Sequence, residues 1–174
     1  YADYIFKYHK DFKNQVERFY DRDFKHHIEG GDILNLTEKT LAIGISQRTQ
    51  ADAIEHIAKQ IFFNSTNKDI ETILAFNIPN NRAMMHLDTV FTQIDVDKFT
   101  IHPGIQGTLQ VFEVTKGDAE GELKIVEVND KLENILAKHL GVEKVTLIQC
   151  GGGDKVVADR EQWNDGSNTL CIKP

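Results

Sequence analysis

Cysteine is scarce in this chain. There are 2 in 174 residues, Cys150 and Cys171. Neither belongs to a CxxC pair, and no zinc-type cluster surrounds them. The expectation is a reduced, cytoplasmic compartment. No apolar run reaches the roughly 18 residues of a membrane-spanning helix, so no membrane partner is expected. Positive charge is also thin: 20 Lys and Arg stand against 27 Asp and Glu, a formal charge of -7. No basic cluster is dense enough to follow a phosphate backbone, so no nucleic acid is expected either. Two glycosylation-type triplets, Asn35-Leu36-Thr37 and Asn64-Ser65-Thr66, occur without a signal peptide and are read as chance matches. The chain starts "YADYIF" without Met and stops at "CIKP", which suggests a piece of something longer.

What is present suits one folded domain. Hydrophobic residues make up 40 % and charged residues 27 %, ordinary values for a globular protein with a real core. A strand near Tyr4–Lys7 and a helix near Lys10–Arg18 are predicted first. Two apolar runs, Asp32–Leu36 and Thr40–Ile45, flank Thr37-Glu38-Lys39 and predict a hairpin. Ala53, Ile54, Ile57, Ala58 and Ile61 have helical spacing, and Thr49 with Asp52 resembles its capping box. Asp69–Phe76 and Met84–Asp95 read as strands, the second turning at Asp95-Val96-Asp97-Lys98. Gln110–Val114 and Leu123–Val128 form another pair. A helix follows with Asp130 as N-cap, Glu133 at N3 and Gly141 past its end. "VTLIQCGGGD" and "NTLCIKP" close the chain as strands. The order is β-β-α-β, repeated, which predicts an α/β protein of small similar modules.

Polar residues interrupt this scaffold in a few places. "IEGGD", Ile28–Asp32, is either a turn before a strand or a pair of glycines opening space beside Glu29. In "MHLDTVFT" a continuous strand would put His86 and Asp88 on one face, about 6.5 to 7 Å apart. That face either meets solvent or lines a pocket; as a metal site it lacks a third ligand at a supporting spacing. "QCGGGD" lacks the spacing of a phosphate loop. Cys150 in it is a candidate nucleophile, but a lone Cys ending an apolar strand is more often buried and inert. Arg48, in "SQRT", is a salt-bridge former or a carboxylate clamp.

Taken together, "IEGGD", "SQRT", "MHLDTVFT", "CGGGD" and "REQWNDGSNTLCIKP" resemble the arginine deiminases, in that family's order and across most of the chain. The resemblance implies a five-bladed α/β propeller of ββαβ modules. It implies hydrolysis of L-arginine to L-citrulline and ammonia through a covalent Cys intermediate, with no metal and no cofactor. By the same resemblance Glu29 and His86 are catalytic, Asp88 holds the guanidinium, Arg48 binds the carboxylate end, and Asp32 supports them among the substrate-binding residues. A carboxylate pairs bidentately with a planar guanidinium and fixes its carbon for attack. A thiolate then adds to that carbon, and His86 moves the protons.

The match has gaps. The family's nucleophilic Cys lies downstream of "NTLCIKP", and its first guanidinium-binding Asp lies upstream. Residues 1–174 are therefore expected to be a single partial catalytic domain, about three of five blades by this reading. The chain alone is expected to be inactive, and its open sheet edges favour a homo-oligomer. A non-catalytic binding or assembly protein derived from the same fold is the alternative.

Overall fold

The computed structural model describes residues 2–13, 15–66, 68–80 and 82–172. After a first helix, α1 (Ala2–Tyr8), the β-branched runs pair as their pattern predicts. β1 (Ile33–Asn35) and β2 (Thr40–Ile45) form an antiparallel hairpin with Ile33 opposite Ile43. α2 (Ala51–Lys59), extended by a wider helical turn over Gln60–Asn64, crosses back to β3 (Thr72–Asn77). β3 runs parallel to β2, as a helical crossover requires. These elements make one ββαβ unit.

A second unit begins with the single helical turn α3 (Leu87–Val90) and the antiparallel strands β4 (Phe91–Asp95) and β5 (Lys98–Ile101). Its crossover is longer. It contains the hairpin β6 (Gln110–Lys116) and β7 (Leu123–Glu127), then α4 (Leu132–Leu140), and returns as β8 (Thr146–Gln149) parallel to β5. The inserted hairpin leaves its own unit: β6 pairs with β3, giving a sheet in the order β1-β2-β3-β6-β7 beside a smaller sheet β4-β5-β8. A last helix, α5 (Lys155–Trp163), follows a glycine turn.

The inner strands β2 and β3 of the larger sheet are covered on both faces, which explains why they are continuously apolar rather than alternating. Ile43, Ile73 and Ala75 pack under Ile54, Ile57 and Ala58 of α2. Ala42, Leu74 and Phe76 face the other way, toward Phe91, Phe99 and Leu136 of the second unit. Phe91 and Phe99 stack with ring centroids 4.8 Å apart. The two core clusters thus use alternate residues of the same strands.

Several predicted elements differ, each for a physical reason. Tyr4–Lys7 is helical, not extended: among the described residues no strand pairs with it, and the Tyr4 and Tyr8 rings meet one turn apart, tilted, with centroids 4.6 Å apart. The described part of Lys10–Arg18 (Asn14 is outside it) forms turns, and Arg18 folds back onto Asp3. Thr49 does not cap α2; the cap position is Gln50, and the Thr49 hydroxyl goes to Asp32. Asp130 accepts from Lys131 and Asn134 from one residue further out, leaving Lys131 as N-cap, while Gly141 ends α4 at φ 69 as expected. Met84–Asp95 is not one strand. The Leu87 N–H bonds the buried Asp32 carboxylate, one helical turn follows, and the ladder starts only at Phe91 opposite Ile101. Asn168–Ile172 is not a strand; it follows β4 by side-chain bonds, Thr169 to Thr92 and Cys171 to the Ile94 carbonyl. Lys173 and Pro174 of that predicted strand lie outside the described residues.

Candidate active site

Three chain segments meet beside the start of α3. The first is the short 3-10 turn Gly30–Asp32, entered from the extended residue Glu29. The second is the loop after β2, Ser46–Thr49. The third is His86 with α3.

The glycine pair has a specific use. A Cβ on Gly31 would stand 2.8 Å from Asp88 Oδ2, whereas nothing approaches Gly30 within 4 Å. The open space is therefore for Asp88, not for Glu29 as the sequence suggested. Asp32 turns inward and is fully buried. Its Oδ2 accepts from the Ser46 hydroxyl at 2.7 Å and the Thr49 hydroxyl at 2.6 Å, and its Oδ1 accepts from the Leu87 N–H at 2.8 Å. Both oxygens of Asp32 are thus taken by protein donors.

His86 is the N-cap of α3 rather than a strand residue. Thr89 returns its hydroxyl to the His86 carbonyl at 2.7 Å. His86 and Asp88 are close because one helical turn begins between them, and not because a pleat alternates. His86 Nδ1 lies 3.8 Å from Asp88 Oδ1. On the other side of the ring, Nε2–H donates to Glu29 Oε2 at 2.7 Å. Glu29 Oε1 lies 3.6 Å from the guanidinium of Arg48, which is half exposed. The order across the site is Arg48, Glu29, His86, Asp88.

Asp88 is the unusual member. Its Oδ1 is buried and makes no hydrogen bond to any described residue. Burial raises its carboxyl above the usual range; the neighbouring His86 charge opposes this, and Asp32 and Asp165 reinforce it. Asp165 is also the one described non-glycine residue with positive φ, 54°, so the "WNDGS" loop brings a strained turn toward the same carboxylate. A buried carboxylate oxygen without a donor is costly unless a ligand supplies one. A planar cation with paired N–H groups fits that need.

The family model described as "Arginine deiminase" matches residues 1–174. The chain belongs to the arginine deiminase family. It is 59 % identical over 174 residues to an arginine deiminase of Treponema denticola, 56 % to one of Streptococcus gordonii and 55 % to one of Streptococcus sanguinis. Each match covers all of this chain but 42 % of the relative. The chain thus spans less than half the length of these arginine deiminases.

Within this family member the remaining candidates are readily placed. Cys150 opens the glycine turn that follows β8, is buried, and contacts the Ser167 hydroxyl. Cys171 is exposed. Among the described residues no group of three His, Cys, Asp or Glu is arranged to hold a metal ion. No described helix is long and apolar enough to cross a membrane. The sequence reading missed Ser46 and Thr49 as parts of the site, although "SQRT" was singled out; Thr49 looked like a helix cap because Asp52 follows at the capping distance. It also missed Gly44, where a Cβ would lie 2.6 Å from Asp32 Oδ1. That signal was present as the one glycine inside the apolar β2 run.

Proposed function

We propose that this chain is part of an arginine deiminase, which hydrolyses L-arginine to L-citrulline and ammonia through a covalent Cys intermediate. The observation that carries the reading is the Asp88 carboxylate, buried with one oxygen lacking a donor, beside a His86–Glu29 pair. Asp88 takes the substrate guanidinium and fixes its carbon for attack. A thiolate from outside residues 1–174 adds to that carbon. His86 donates a proton to the departing ammonia and then takes one from the water that hydrolyses the thiouronium adduct. Glu29 orients the His86 ring throughout. Arg48, reaching past Glu29 into solvent, receives the α-carboxylate and so selects arginine.

In this reading residues 1–174 are one partial catalytic domain, about three blades of a five-bladed propeller. The two ββαβ units and the β6–β7 hairpin shared between sheets support it. The chemistry needs no cofactor, and the enzyme is cytoplasmic. The test is citrulline production from arginine. The full-length enzyme should show it, and His86→Ala and Asp88→Asn should each lower kcat/KM by at least about 100-fold. The 174-residue chain alone should show none. Citrulline formation by that chain, or an unaffected Asp88→Asn enzyme, would refute the assignment.

A further inference from the structure

We infer that Asp32 is the positioning residue of this site: its carboxylate, through Ser46, Thr49 and the Leu87 N–H, fixes the backbone from which Glu29, Arg48, His86 and Asp88 project. The inference rests on the functional reading above for its catalytic consequence, and on hydrogen bonds alone for its structural one.

The connections run outward from one carboxylate. Oδ2 takes the protons of both hydroxyls, Ser46 at 2.7 Å and Thr49 at 2.6 Å. With those protons committed, the hydroxyl oxygens are turned to accept from backbone. Thr49 Oγ1 accepts the Glu29 N–H at 3.1 Å. Ser46 Oγ accepts the Arg48 N–H at 3.0 Å. The Asp32 N–H donates to the Glu29 carbonyl at 3.1 Å, so Glu29 is held at both ends of its residue. Oδ1 takes the N–H of Leu87, the residue between His86 and Asp88. The Glu29 and Arg48 backbones are thus one or two hydrogen bonds from Asp32, and His86 and Asp88 flank the residue whose N–H it holds.

The position demands a carboxylate. All of its side-chain partners are donors, and a carboxylate accepts at both oxygens. An Asn amide turned either way sets its NH2 against the hydroxyls or against Leu87. Burial makes that mismatch costly. Gly44 underlies the arrangement, because any side chain there would collide with Asp32 Oδ1.

Amide exchange in this protein and kinetics in the full-length enzyme test the inference. In Asp32→Asn the informative amides are those of Glu29 and Arg48, whose N–H groups bond Thr49 and Ser46 rather than Asp32. They should exchange at least about tenfold faster than in the wild type, while α4 amides are unchanged. Unchanged Glu29 and Arg48 amides overturn the inference. Should Asp32→Asn not fold, Thr49→Val serves, with Leu87 as the informative amide and the same outcomes. In the enzyme, Thr49→Val should lower kcat/KM by about 10- to 100-fold per folded molecule, and Thr49→Ser should restore it to within about threefold. A Thr49→Val enzyme within about twofold of wild type, or a Thr49→Ser enzyme as impaired as Thr49→Val, overturns the positioning role. A full-length wild type that makes no citrulline refutes the functional reading instead, and the exchange result still decides the role of Asp32.

Discussion

At the scale of single residues, the site trades stability for a receptive carboxylate. Burial raises the Asp88 carboxyl above its ordinary 3.8. In the pH window that starts at 3.8 and extends upward to the raised value, the folded state holds more protons than the unfolded state. Stability contributed by this group therefore falls as pH rises through that window. Asp88→Asn should raise the thermal midpoint near about pH 7, and the gain should shrink as the acid is protonated at low pH. A midpoint lowered equally at both pH values would contradict this. The same shift links binding to protons: guanidinium binding should release them as Asp88 ionises, measurable by calorimetry in buffers of different ionisation enthalpy. Gly31→Ala tests the space beside it. The added Cβ meets the end of the Asp88 side chain at 2.8 Å, so stability should change by no more than about 1 kcal/mol. Arginine turnover in the full-length enzyme should drop by at least about tenfold, because the oxygens proposed to take the guanidinium are displaced.

At the scale of elements, helix ends and sheet faces carry the stability. Gly141 sits at φ 69 with nothing within 4 Å of a built Cβ. Gly141→Ala is thus a backbone effect alone and should cost about 1 kcal/mol by chemical denaturation. Leu136 of α4, fully buried in the cluster with Phe91 and Phe99, should cost about 2 to 5 kcal/mol when cut to Ala. Glu113 on β6 holds Lys138 at 2.9 Å and His139 at 3.0 Å of α4. The Lys138 hydrogen bond is the main reason that its carboxyl lies below the usual range, against the effect of burial. That contribution is present above its ordinary 4.5 and is lost as pH falls through the lower folded value. Glu113→Gln should therefore lower the thermal midpoint near about pH 7 and lose its effect in acid.

At the scale of the whole molecule, the exposed edge of the larger sheet matters most. It spans 42 % of the length of its Treponema relative, and β7 presents Ile125 and Val126, 55 % and 48 % exposed, on the last strand of the larger sheet. An uncovered apolar edge favours pairing with another copy. The 174-residue protein should self-associate in sedimentation velocity, and Val126→Lys should reduce it; a monodisperse wild type would contradict the expectation.

The hairpins, the crossover helices and the α/β class were legible because hydrophobic periodicity and turn residues are local properties. Thr40–Ile45 reads as a strand whatever it pairs with. The motif strings contain Glu29, Arg48, His86 and Asp88, and these four lie in one row. Tertiary contact decided the rest. One buried carboxylate, Asp32, drew the Leu87 N–H out of a strand, took Thr49 from its helix and made Gly44 beside it necessary. No window of neighbours could announce that, because its partners lie 14 to 55 residues away. The sequence alone determined which side chains are available and which local elements they favour. The fold decided which of them face a ligand and which only hold the others in place, since burial and hydrogen-bond supply exist only after distant segments meet.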